Sequence, residues 1–120
     1  MKIIENSKIR NLTYTDEFNV FYSSLDERTK DKFGNYFLIL RTVYILSSKI
    51  VKKLETTYRL YELRVSLGHN EYRSVIFSVN HDNIMQATEI IFLNGFLKKD
   101  TKDYKKQINK AINILKKLEL

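Results

Sequence analysis

The sequence has no cysteine, no proline and no tryptophan, and its only glycines are Gly34, Gly68 and Gly95. Without thiols it can form no disulfide, no thiolate nucleophile and no cysteine-based zinc site. The same absence fits a reducing compartment, so a cytoplasmic location is expected. No Pro/Gly/Ser-rich stretch offers a linker, and neither repeats nor low-complexity tracts occur, which leaves a second domain nowhere to begin. No uninterrupted apolar run approaches the ~18 residues of a membrane span. The opening Met1-Lys2-Ile3-Ile4-Glu5-Asn6-Ser7-Lys8 turns polar after two isoleucines, which predicts a soluble, unexported chain with no membrane partner.

What is present suits one compact body. A chain of 120 residues that is 43% hydrophobic and 12% aromatic can build one core but not comfortably two, so residues 1–120 are expected to form a single domain. Acid is scarce relative to base: the net charge is +7, with a pI near 9.5. The excess is concentrated, since Lys98–Leu120 carries eight Lys against Asp100, Asp103 and Glu119. Such a field favours polyanions, whether nucleic acid, an acidic protein or a membrane surface.

Phe18, Phe21, Tyr22 and Leu25 recur at helical spacing, with Thr15 or Asp16 as cap. Phe33, Tyr36, Phe37, Leu40, Val43 and Tyr44 line a second helix, capped by Asp26 or Ser24 and expected to fray at Ser47-Ser48. From Tyr58 the period changes to two. Tyr61, Leu63, Val65 and Leu67 face one way and Glu62, Arg64 and Ser66 the other, which predicts a strand with one wet face. A turn at Gly68-His69-Asn70 leads to a second strand over Tyr72–Val79. Thr88–Asn94 lacks alternation, as expected of a strand covered on both faces. Tyr104, Ile108, Ala111, Ile112, Leu115 and Leu118 mark an amphipathic C-terminal helix with Asp103 as its expected cap. With an opening strand near Ile9–Tyr14, the order predicts an α+β fold: an N-terminal helical hairpin packed on one face of a small antiparallel sheet, a C-terminal helix, and a second sheet face free for a ligand.

Three segments carry chemistry: Leu60-Tyr61-Glu62-Leu63-Arg64-Val65, Glu71-Tyr72-Arg73, and Leu93-Asn94-Gly95-Phe96-Leu97-Lys98-Lys99. An even-length loop at Gly68-His69 sets Arg64 directly across from Arg73 on the face of Glu62 and Ser66, whereas a three-residue loop would put Arg73 opposite Val65. Like charges opposite one another cost up to ~1 kcal/mol, so the pairing makes sense if an anion fills the gap. Guanidinium forks suit phosphate. Against this, a strand arginine on a wet face is ordinarily solvated or paired with a nearby carboxylate, here Glu62 or Glu71.

In order and spacing the three segments resemble the phage-derived, HigB-like branch of the RelE/ParE toxin superfamily, from about Asp16 to the C-terminus. The resemblance implies a RelE-like fold and a type II toxin that cleaves mRNA in the ribosome by metal-free attack of a 2′-hydroxyl on its adjacent phosphate. It implies Arg64, Arg73, Lys98 and Lys99 as catalytic residues, Lys52, Lys53 and Lys102 as RNA-backbone contacts, and no cofactor. It also implies a helix-turn-helix antitoxin partner, with operator DNA bound only through that complex. Where relatives commonly continue Thr-Gln-Lys-Thr-Pro, this chain has Asp100-Thr101-Lys102-Asp103-Tyr104. Tyr104 is read as a core residue or a surrogate acid/base, and His69 and His81 as turn residues that could shuttle protons. No His/Asp/Glu cluster has metal-ligand spacing. Two other functions share the fold: a ParE-like inhibitor of DNA gyrase, and an inactive relic that only binds antitoxin or DNA.

Overall fold

The computed structural model describes residues 8–119. The expectation drawn from Met1–Ser7 lies outside them. The elements are β1 (Asn11–Tyr14), α1 (Asp16–Ser23), α2 (Glu27–Thr42), β2 (Val51–Lys53), β3 (Leu60–Leu67), β4 (Asn70–Ser78), β5 (Glu89–Leu97) and α3 (Thr101–Lys117). They form an α+β fold on one five-stranded sheet of order β1-β5-β4-β3-β2, compatible with a RelE-like fold. No helix among the described residues is long and apolar enough to cross a membrane.

The hairpin α1–α2 lies on one sheet face through the aromatic stripes foreseen in the sequence. Phe18 and Phe33 are buried, and Phe21, Tyr22, Tyr36 and Phe37 pack around them with Phe92 and Tyr14. Thr15 and Asp26 are the caps, accepting the amides of Phe18 and Thr29. Thr15 also donates its hydroxyl to the Leu93 carbonyl and so pins the start of α1 to β5.

Several expectations need correction. The sheet is mixed, because β1 runs parallel to β5: its chain leaves directly into α1, which must cross the sheet face. Helix α2 stops at Thr42, before the Ser pair, and leaves Val43 and Tyr44 exposed. The cause is Arg10, whose guanidinium is buried and binds the carbonyls of Leu40, Val43 and Tyr44 at that helix end. Lys52 and Lys53 lie in a short edge strand, β2, which the sequence pattern does not mark. Helix α3 begins at Thr101 with Asp100, not Asp103, as cap.

The second sheet face is not free along its whole length. Leu60, Val75, Phe77, Leu93 and Phe96 line it and form a second core with Ala111, Ile114 and Leu115 of α3. That apolar set needs a cover, and the amphipathic helix supplies it. Asn94 ties helix to sheet: its side-chain amide donates to the Gln107 carbonyl and its Oδ1 accepts from the Val75 amide, next to the bulge at Val75/Ile76. Gly95 is required on the opposite face, where a Cβ would sit 2.2 Å from the Phe21 ring.

Candidate active site

Strands β3 and β4 meet through the two-residue turn Gly68-His69, with Gly68 at φ +61°. The even loop sets the register, and Arg64 stands directly across from Arg73, Glu62 from Val75 and Ser66 from Glu71. All six side chains share the face that α3 covers at its other end.

The gap between the guanidiniums holds the chain's own carboxylate. Glu62 is 2% exposed. Its Oε1 accepts a 2.8 Å hydrogen bond from Arg64 Nε and lies 3.2 Å from Arg73 Nε. The second contact is an ion pair without hydrogen-bond alignment, and among the described residues Arg73 Nε has no hydrogen-bond partner. Its Oε2 accepts the phenolic O–H of Tyr104. Arg73 also donates through Nη1 to Glu71, at 3.3 Å, and to the Tyr72 carbonyl. Glu71 in turn accepts the Ser66 hydroxyl. That hydroxyl first, and Arg73 with it, hold the Glu71 carboxyl below its ordinary range.

The two arginines therefore differ in what they can do. Arg73, 5% exposed, lies beneath the surface as a counter-charge. The Arg64 side chain is 32% exposed, and among the described residues only its Nε is engaged, which leaves both Nη groups to the solvent side. Beside it opens a cleft of about 430 Å³ lined by Glu62, Arg64, Lys98, Lys99, Asp100, Thr101 and Tyr104. Lys98 and Lys99 thus reach the arginine face, as their place after β5 predicts.

The remaining candidates separate. Lys52 pairs in register with Glu62 and so shares the cleft's face. Lys53 is turned to the opposite face, where its ammonium lies 5.2 Å from the Tyr61 ring centroid. Lys102 is exposed on the first turn of α3, outside the cleft lining. His69 shares a shallow depression with Lys98 and Lys99. His81 is built into its turn: its Nδ1 accepts the Asn83 amide and its carbonyl the Ser78 hydroxyl. Among the described residues no group of three or more His, Asp or Glu side chains is placed to hold a metal ion.

Glu62 is the member that sequence reasoning assigned only as a bland partner. Its signal is the register itself, since a carboxylate on the same face and two residues before Arg64 must lie beside any arginine paired opposite. Tyr104 stands where its core reading expects, its ring edge-on to Phe96, and it also lines the cleft. Burial, then the hydrogen bond and charge of Glu62, push its phenol well above the ordinary 10.0. A raised folded-state value favours the protonated phenol. Its stabilisation is full below pH 10.0 and is lost as pH climbs through the folded value. Stability is expected to fall above pH 10.0, and Tyr104→Phe should flatten that fall; an unchanged alkaline slope in denaturant titrations would count against the assignment.

The arrangement offers an anion one outward guanidinium and two ammoniums over a rigid, internally neutralised base. It can hold a phosphoryl group and stabilise charge that grows on it. No curated protein and no solved structure matches the chain. The model of a family described as phage derived protein Gp49-like (DUF891) matches residues 21–116, which take in the end of α1, all of α2, both arginine strands, the cleft and most of α3. The chain belongs to this phage-derived Gp49-like family, a family commonly related to toxins of the RelE kind.

Proposed function

We propose that the chain is a single-domain, cytoplasmic toxin of a toxin–antitoxin pair and a ribosome-dependent endoribonuclease that cuts mRNA without metal or cofactor. The observation that carries this reading is the outward Arg64 fork, oriented by a buried Glu62–Arg73–Tyr104 cluster and flanked by Lys98 and Lys99. In the reaction the 2′-oxygen bonds to its adjacent phosphorus, the bond from phosphorus to the 5′-oxygen breaks, and the proton lost from one oxygen is balanced by one gained at the other. Arg64 and the two lysines neutralise the equatorial oxygens, where charge accumulates. Arg73 acts through Glu62 as a positioning residue, a revision of its expected direct role. Lys52 extends the basic face toward the RNA backbone. The ribosome, by fixing the target strand, contributes the orientation that this small cleft lacks. The natural antagonist is a helix-turn-helix antitoxin whose acidic segment covers the Arg64 side of the sheet, and operator DNA is bound only by that complex.

Arg64→Ala is the clean test, because its side chain is partly exposed and its loss opens no apolar cavity. Cleavage is expected to fall by about 10²–10³, growth arrest to disappear and the thermal midpoint to stay within a few degrees. Full toxicity of the variant would overturn the proposal. Mapping of RNA ends after induction separates it from gyrase inhibition, which leaves transcripts whole and provokes a DNA-damage response. Arg73→Ala is a poor substitute, because burial makes loss of folding and loss of chemistry indistinguishable.

A further inference from the structure

The solvent side of α3 carries base without acid. At 100° per residue, Lys102, Lys105, Lys106, Lys110, Lys116 and Lys117 fall within an arc of about 140°, and the other two residues in that arc are Asn109 and Asn113. All eight are exposed. A solvated helix face ordinarily mixes signs, because Glu and Lys four apart stabilise each other while like charges at that spacing repel. Here Lys102, Lys106 and Lys110 follow one another at four-residue steps, and among the described residues no ion pair includes any of the six lysines. The one acid bordering the groove along this face is Glu17 of α1.

We infer that this face is a second RNA-binding surface, separate from the cleft, which takes the sugar–phosphate backbone of RNA lying alongside α3. Four-residue steps place ammoniums about 6 Å apart along the axis, comparable to the separation of successive phosphates in a nucleic-acid strand. Asn109 and Asn113, between the lysine rows, offer both donors and acceptors to ribose hydroxyls. The stripe begins at Lys102, one residue beyond Thr101 of the cleft lining, so an RNA held there runs up to the cleft. An anionic bilayer is the weaker fit. The apolar side of α3 is spent on the sheet, through Ala111, Ile114 and Leu115, and has nothing left to insert.

The test is fluorescence anisotropy with labelled RNA, single-stranded and duplex, in the absence of ribosomes, where the proposed ribosome-dependent cleavage does not proceed. Each phosphate neutralised contributes about 0.7 to 0.9 to the slope of log affinity against log salt. The Lys106→Gln/Lys110→Gln/Lys117→Gln variant should therefore lose about 2 to 3 from that slope, while the corresponding arginine variant keeps it. Arg64→Ala should leave most of the slope in place, so the stripe can stand or fall independently of the cleft chemistry. On the wild-type chain, bound RNA should protect these lysines from acylation more than Lys32 or Lys49. An unchanged slope in the glutamine variant, unprotected stripe lysines, or stripe-dependent binding to phosphatidylserine vesicles but not to RNA would overturn the inference.

Discussion

Glu62→Ala should unfold the site end of the sheet and cost about 3–5 kcal/mol, the range for removing one partner of a buried charge pair. The carboxylate is 2% exposed and is met by two guanidiniums and a phenol. Without it Arg73, itself 5% exposed, keeps only the more exposed Glu71 as counter-charge, and the two arginines repel across adjacent strands. Glu62→Gln retains shape and one acceptor and should lose less. The double replacement Glu62→Leu/Arg73→Met removes both buried charges and should be milder than Glu62→Ala alone, because apolar residues of similar volume offset the lost pair. Chemical denaturation of the three variants measures this order. A loss below about 1 kcal/mol for Glu62→Ala would mean that the cluster is hydrated.

The second large effect lies far from the cleft. Arg10 is 1% exposed, and all five of its N–H groups reach main-chain carbonyls: Ile84 at 3.1 Å, Leu40 at 2.9 Å, Val43 at 2.6 Å, Tyr44 at 2.7 Å and Met85 at 3.0 Å. Among the described residues no carboxylate pairs with it. The carbonyl ends of α2 and of the 84–85 turn take the charge, as the negative end of a helix dipole does, and burial lowers the guanidinium's pKa. Arg10→Met takes the arginine donors from five carbonyls, of which Ile84 keeps the Ala87 amide, and is expected to cost at least about 3 kcal/mol, a drop in thermal midpoint of about 10 °C or more. Lysine has three donors and no planar fork, so Arg10→Lys should recover less than half of the loss. Full recovery by lysine would show that charge, not geometry, holds the three segments together.

These two arginine environments mark where sequence reasoning succeeds and where it stops. The Arg64–Arg73 pairing was legible, because a period-two face and a Gly-led two-residue turn fix the register by local rules. The aromatic stripes of α1 and α2 were legible for the same kind of reason, helical spacing of large apolar groups. Burial of Arg73 was not. Whether a strand face is wet depends on what crosses it, and α3 crosses only the half that holds Leu60 and Glu62. The sequence shows that α3 has an apolar side but not which strands it covers. Arg10 left no signal at all, since an arginine between Ile9 and Asn11 reads as a solvated residue at a strand end. Its role follows from carbonyls that come together only in three dimensions, from residues 40–44 and 84–85. The direction of β1 was hidden likewise, because alternation gives a strand its faces but not the sense of its neighbour.

The parallel pairing of β1 with β5 bears on how such a chain is made. Asn11 aligns with Glu89 and Tyr14 with Phe92, so the first strand of the sheet has no neighbour until the nascent polypeptide has emerged well beyond residue 92. Pairings of such high contact order form slowly and late. Lys98, Lys99 and Tyr104 are translated later still. A growing chain therefore makes its helical hairpin and first arginine strand well before the segment that closes the cleft, so the site is among the last parts of the fold to assemble.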